Sequence, residues 1–157
     1  MTLKTELPRI VPSNNVSLVG ADDAVAVSQY TNSANLVFGR QLSGEIVSMC
    51  LYAAESGTGE TQEVAGEVLF LSADPAVAAG DTDLAAGEWP TVVGTVAVAA
   101  TDWVSGVTGS MAFVPCAVPF ELLGTLYAVM KMDAASAINS AGGDDETLTI
   151  QVRARLG

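Results

Sequence analysis

Carboxylates are the groups this chain offers for chemistry, in three sets: Asp22-Asp23, Asp81 with Asp83, and Asp144-Asp145-Glu146. Two carboxylates facing each other across roughly 5 to 9.5 Å can hydrolyse a glycosidic bond, and several oxygens from one loop can hold calcium. The loop Gly142-Gly143-Asp144-Asp145-Glu146 supplies oxygens, but its spacing matches no EF-hand loop, and solvated loops are the simpler reading of all three sets. The sequence contains no histidine, which excludes Ser-His-Asp and Cys-His catalysis and a His-ligated zinc site. Gly57-Thr58-Gly59 is followed by Gln62 where a dinucleotide fingerprint needs its third glycine, with no helical period behind it, so it reads as a hairpin loop. Cys50 and Cys116 lie in apolar strand-like runs, where a free buried thiol is expected in preference to a disulfide. Trp89, Trp103, Tyr52 and Tyr127 have the chemistry to line a sugar groove, core anchoring being the plainer use of such rings, with Trp89 pinning its loop to the core. No catalytic residue, cofactor or metal site is expected.

The elements that would position these groups are strands. In Thr147–Leu156, Leu148, Ile150, Val152, Ala154 and Leu156 take one parity and Thr147, Thr149, Gln151, Arg153 and Arg155 the other, the period of a strand with one buried face. Thr125–Met132 places Leu126, Ala128, Met130 and Met132 on one face, and pairing the two runs as a C-terminal hairpin gives an apolar strip that a second sheet must cover. Gly44–Ala53 is apolar on both parities, as a central strand would be, and is expected to turn through the polar loop 55–63 into Val64–Ala73 as a second hairpin. Further strands are expected at Val16–Val19, Ala24–Gln29, Leu36–Phe38, Thr91–Ala100 and Met111–Val118, with corners at Thr101-Asp102-Trp103 and Val118-Pro119-Phe120. Asp74-Pro75 stops a strand, and the Ala- and Gly-rich stretch 76–90 reads as a long surface connection with at most one helical turn. The reading is all-β: an antiparallel β-sandwich, jelly-roll-like, over residues 16–157 as one domain, with residues 1–15 as an extended N-terminal arm.

Composition narrows the function. Of 157 residues half are hydrophobic and 15% charged, below the roughly 25% charged share of an average globular protein. Such a chain has apolar surface to spare for a partner or for its own copies. Eighteen acids against six bases argue against direct nucleic-acid binding, which needs clustered Lys and Arg. No base occurs between Arg40 and Lys131, so the cations sit toward the two ends of the chain. The N-terminal residues lack a secretory apolar core and no apolar run reaches the roughly 18 residues of a membrane helix, so a cytosolic chain with no membrane partner is expected.

Particular words in the chain resemble those of small structural proteins of tailed-bacteriophage heads. They are Ala73-Asp74-Pro75, Ala79-Gly80-Asp81-Thr82, Val92-Val93-Gly94, Ala100-Thr101-Asp102-Trp103, Val118-Pro119-Phe120 and Leu126-Tyr127-Ala128-Val129, spread over residues 44–156. The resemblance implies a jelly-roll decoration or cement protein, made in the host cytoplasm and placed on the capsid exterior of the virion. It further implies a homotrimer that ties major capsid protein subunits together, without catalytic residues. On that expectation the arm, through Lys4, Leu7, Arg9 and Ile10, contacts the capsid. A receptor- or glycan-binding module on a virion or cell surface is the alternative, and it requires an exposed aromatic groove.

Overall fold

Two facing layers of extended chain enclose the core in the computed structural model, which describes residues 9–38, 43–54, 63–106, 109–121, 126–139 and 146–156. One sheet holds β1 (Arg9–Pro12), β2 (Val16–Val19), β4 (Gly44–Ala54), β7 (Trp103–Ser105), β8 (Gly109–Phe120) and β10 (Thr147–Leu156). Its order is β1-β10-β4-β8-β7, with β2 also on β10. The other holds β3 (Ala34–Leu36), β5 (Gly66–Leu71), β6 (Val92–Val98) and β9 (Leu126–Met132), in the order β3-β9-β5-β6. Every pairing is antiparallel. The only helix among the described residues is two single 3-10 turns, at Trp89–Thr91 and Ala100–Asp102. The architecture is thus an all-β, jelly-roll-like sandwich, as the strand periods require.

The period-two faces are where the sequence puts them. Leu148, Ile150, Val152 and Ala154 on β10 and Leu126, Ala128, Met130 and Met132 on β9 are all buried in the central cluster. Their pairing differs from expectation. β9 and β10 do not form a hairpin: β9 lies between β3 and β5, and β10 lies in the opposite sheet beside β4. The second expected hairpin fails in the same way, since β4 pairs with β8 and β10 while β5 pairs with β6 and β9. The physical reason is common to both. Two strands each with one greasy face bury more by facing each other across the core than by lying side by side, so each connector crosses between layers.

Smaller departures have local causes. Ala24–Gln29 is not a strand and contributes one isolated bridge, Val25 to Ile138. Pro119 lies inside β8, not at a corner. On β4 a bulge between Ile46 and Ser48 reverses the parity, so Ile46 is fully buried along with Met49, Leu51 and Ala53 while Val47 is only half-buried. From the N-terminal residues expected as an arm, Arg9–Pro12 are extended and hydrogen-bonded to β10; Lys4 and Leu7 lie outside the described residues, as does most of the loop 55–63. β1 and β2 act as one interrupted strand. Between them the buried Ser13 donates its N–H to the Val152 carbonyl at 2.8 Å and accepts the Val152 N–H on Oγ at 3.0 Å, so β10 loses no ladder bond at the break.

The connection 74–90 lies on the outside of the four-stranded sheet. Val77 and Leu84 are buried with Tyr30, Leu69, Leu71 and Val129 in a second apolar cluster. Its turns are closed by its own carboxylates: Asp74 Oδ1 accepts the Ala76 N–H, Asp81 Oδ2 the Ala78 N–H and Asp83 Oδ1 the Leu84 N–H, each at 2.8 to 2.9 Å. The anchor is therefore Val77 and Leu84. Trp89, expected in that role, is half-exposed.

Candidate functional site

Beside that connection, a concavity of about 720 Å³ opens on the outer face of the four-stranded sheet. Its floor is the outward parity of two neighbouring strands, Glu67 and Leu69 on β5 and Lys131 on β9, with Glu67 and Lys131 directly opposite each other. One wall is Trp89, carried by the first 3-10 turn; another is Ala99-Ala100 at the end of β6. The third is the segment Ser28–Tyr30, held against β9 by the Ser28 N–H on the Asp133 carbonyl and the Met132 N–H on the Gln29 carbonyl, both 2.9 Å.

Two of the polar groups in this groove, Tyr30 and Asp133, are shifted by their surroundings. Lys131 Nζ stands 5.4 Å from the centroid of the Tyr30 ring, a cation–π contact of about 0.5 to 1 kcal/mol at an exposed site. Burial, reinforced by the negative charges of Asp83 and then Glu67, raises the Tyr30 phenol above its ordinary value, so it stays protonated. Asp133 is held below the usual carboxylate range, first by the Ala135 N–H on its Oδ1 at 2.8 Å and then by Ser136, so it remains an acceptor. The groove therefore offers one broad exposed ring, an ammonium donor, and two carboxylate acceptors, Glu67 and Asp133.

The residues singled out in the sequence separate cleanly. Of the four aromatic candidates, Trp89 reaches the groove. Trp103 is buried and donates its indole N–H to the Val64 carbonyl at 2.7 Å. Tyr127 packs half-buried against the second cluster, and Tyr52 is exposed on the other sheet. The carboxylate pairs serve the fold. Asp23 Oδ2 accepts the Gly20 N–H at 2.9 Å and the Asn32 side-chain amide at 2.7 Å, Asp81 and Asp83 close turns, and Asp144 and Asp145 lie outside the described residues. Glu146 is buried and accepts the Asn139 N–H. Among the described residues no three His, Cys, Asp or Glu side chains lie close enough together to hold a metal ion.

Cys50 and Cys116 are free thiols, half-buried. Burial raises both, Glu45 adding to the rise at Cys116 while Arg153 opposes it at Cys50, so neither is a reactive thiolate at neutral pH. Arg9 and Ile10 stand on the edge strand β1, where Ile10 is exposed. They are remote in the topology from the groove strands, on the other sheet.

Sequence reasoning missed Glu67, Lys131, Tyr30 and Asp133. The one signal for them was the alternation of β5 and β9, which sets Glu67 and Lys131 on an outward face.

No family model matches the sequence, and no curated protein matches it. Among solved structures, the C-terminal CBM6 of LamC, a marine laminarinase from Zobellia galactanivorans, is similar at 13% identity and a TM-score of 0.38, over 89% of this chain and 98% of that one. A chain of the Triatoma virus empty capsid is similar at 12% identity and a TM-score of 0.37, over 100% of this chain and 72% of that one. Superpositions this loose transfer no residue and no activity to this chain.

Proposed function

We propose that this chain is a non-enzymatic binding module whose Trp89 groove holds a carbohydrate. The observation that carries the reading is the half-exposed Trp89 standing over a floor of Glu67 and Lys131. A sugar ring has an apolar face of C–H groups and an equator of hydroxyls. An indole supplies a rigid flat surface for the first, and fixed charged donors and acceptors meet the second with short, strong hydrogen bonds. Two carboxylates against one ammonium favour a neutral sugar over an acidic one. An array of immobilised neutral glycans is the direct test. Binding by the native chain that falls at least about tenfold in Trp89→Ala, equivalent to about 1.4 kcal/mol, supports the reading. An empty array, or binding indifferent to Trp89, overturns it.

A second reading is favoured by a different observation, the exposed apolar residues Tyr52, Val104, Met111 and Phe113 on the opposite sheet. In it the chain is a structural component of a virion exterior, a decoration protein that self-associates and sits on the major capsid protein, with the β1 edge at Arg9 and Ile10 on the capsid side. Electron microscopy of assembled particles with and without the chain tests it. Absence of added density on the shell sinks it.

A further inference from the structure

The outer face of the six-stranded sheet carries a surface that the groove does not use. Val104 on β7, Met111 on β8 and Tyr52 on β4 are successive cross-strand partners, and Phe113, two residues on, faces Cys50. Val104 is 73% exposed, Met111 47%, Tyr52 48% and Phe113 52%. The outer face of an antiparallel sheet is ordinarily polar, and a contiguous apolar patch on it marks a contact surface.

Charge on the same face says what the contact is. Arg153 lies opposite Ser48, close enough to Cys50 to act on its thiol. Arg155 lies opposite Glu45 and reaches its carboxylate at 4.0 Å. A chain of net charge −12 thus shows here, among the described residues of β4, β8 and β10, two arginines to one acid, flanking an uncharged strip. On the opposite sheet, the connection 74–90 carries Asp74, Asp81, Asp83 and Glu88 and no base at all.

We propose that this face is a docking surface for a second copy of the same chain, arranged head to tail. The apolar strip with Arg153 and Arg155 of one copy seats against the acidic connection 74–90 of the next. A two-fold contact would set four arginines against the two copies of Glu45, whereas the head-to-tail contact matches cation to acid. The face is large enough. Five strand positions about 4.8 Å apart and ten residues of β10 at about 3.3 Å each give roughly 20 by 33 Å. That flat area, before side-chain relief, is near the roughly 800 Å² per partner of a standard interface. A head-to-tail contact closes into a ring if its rotation allows and otherwise propagates. The proposal gives a surface to the self-association of the second reading. It stands whether or not the chain sits on a virion, and because the connection includes Trp89, the wall of the groove, a seated neighbour and a groove ligand would compete.

The test is the mass in solution, by size exclusion with light scattering. The native chain is expected as an oligomer, and Met111→Glu with Phe113→Glu is expected to reduce it to the 16.0 kDa of one chain with an unchanged thermal unfolding midpoint. Arg153→Glu with Arg155→Glu, and separately Asp83→Arg with Glu88→Arg, should each break the assembly. Mixing those two double variants should restore the assembly, because the native strip of one meets the native connection of the other and the two altered faces meet with their charges exchanged. Both carry every strip residue, so the mixture also reports on the contact if the Met111/Phe113 variant fails to fold. A native monomer at the highest soluble concentration overturns the proposal. So does an oligomer that survives the Met111/Phe113 variant, or one indifferent to Asp83→Arg with Glu88→Arg, which would mean a two-fold contact.

Discussion

Asn139 shows how much one side chain can settle. It is buried, with φ of 53° in the left-handed region that Asn tolerates better than most residues. It stands where the chain leaves one sheet for the other. Its Oδ1 accepts the Glu146 N–H at 3.0 Å, and its amide donates to the Glu146 carbonyl at 2.8 Å and to the Asp23 carbonyl at 2.9 Å. Asn139→Ala removes these three hydrogen bonds in a place water reaches poorly, and should cost about 2 to 4 kcal/mol. Urea unfolding monitored by Trp fluorescence will measure it, and a loss below about 1 kcal/mol would mean water takes over the bonds. Nothing in the sequence announced this role, because Asn in a stretch of Ala, Ser and Gly reads as any turn residue does. Trp89 was misread for the complementary reason. A large ring normally buries, but in the fold Val77 and Leu84 already fill the space beneath its loop.

At the scale of elements, the two layers touch most closely where β6 meets β8. A Cβ at Gly94 would come within 2.5 Å of Val118 Cγ1, and Val is stiff about χ1. Gly94→Ala should therefore destabilise by about 1 to 3 kcal/mol. Adding Val118→Ala should recover part of that loss, a coupling that a double-mutant cycle reads directly; strict additivity would contradict it. Strand faces were legible in the sequence because alternation is a local property of the chain. Neighbours were not, since β4 with β5 and β9 with β10 read as well for a hairpin as for a crossing between layers. Edge strands β1 and β7 escaped notice for want of length, with four and three residues. The apolar outer row of β8 was hidden in plain view: Met111 and Phe113 look like core in a linear reading, and only the partner register shows that their parity faces outward.

For the whole molecule, the acid surplus and the apolar strip pull in opposite directions. Net charge of −12 opposes contact between assemblies at neutral pH, while the sequence isoelectric point is about 4.1. Acidification should therefore raise light scattering toward that pH as repulsion fades. The Met111→Glu with Phe113→Glu variant should scatter less there than the native chain. Equal scattering by both would assign the effect to lost charge alone.

The position of β10 has a consequence for biosynthesis. This strand lies in the interior of its sheet, between β4 on one side and β1 with β2 on the other, so residues 9–19 have no ladder to join until residues 147–156 have left the ribosome. Until then the nascent chain carries the β10 side of β4 as a bare edge open to neighbours on the same polysome, and completion of this sheet waits for its last strand.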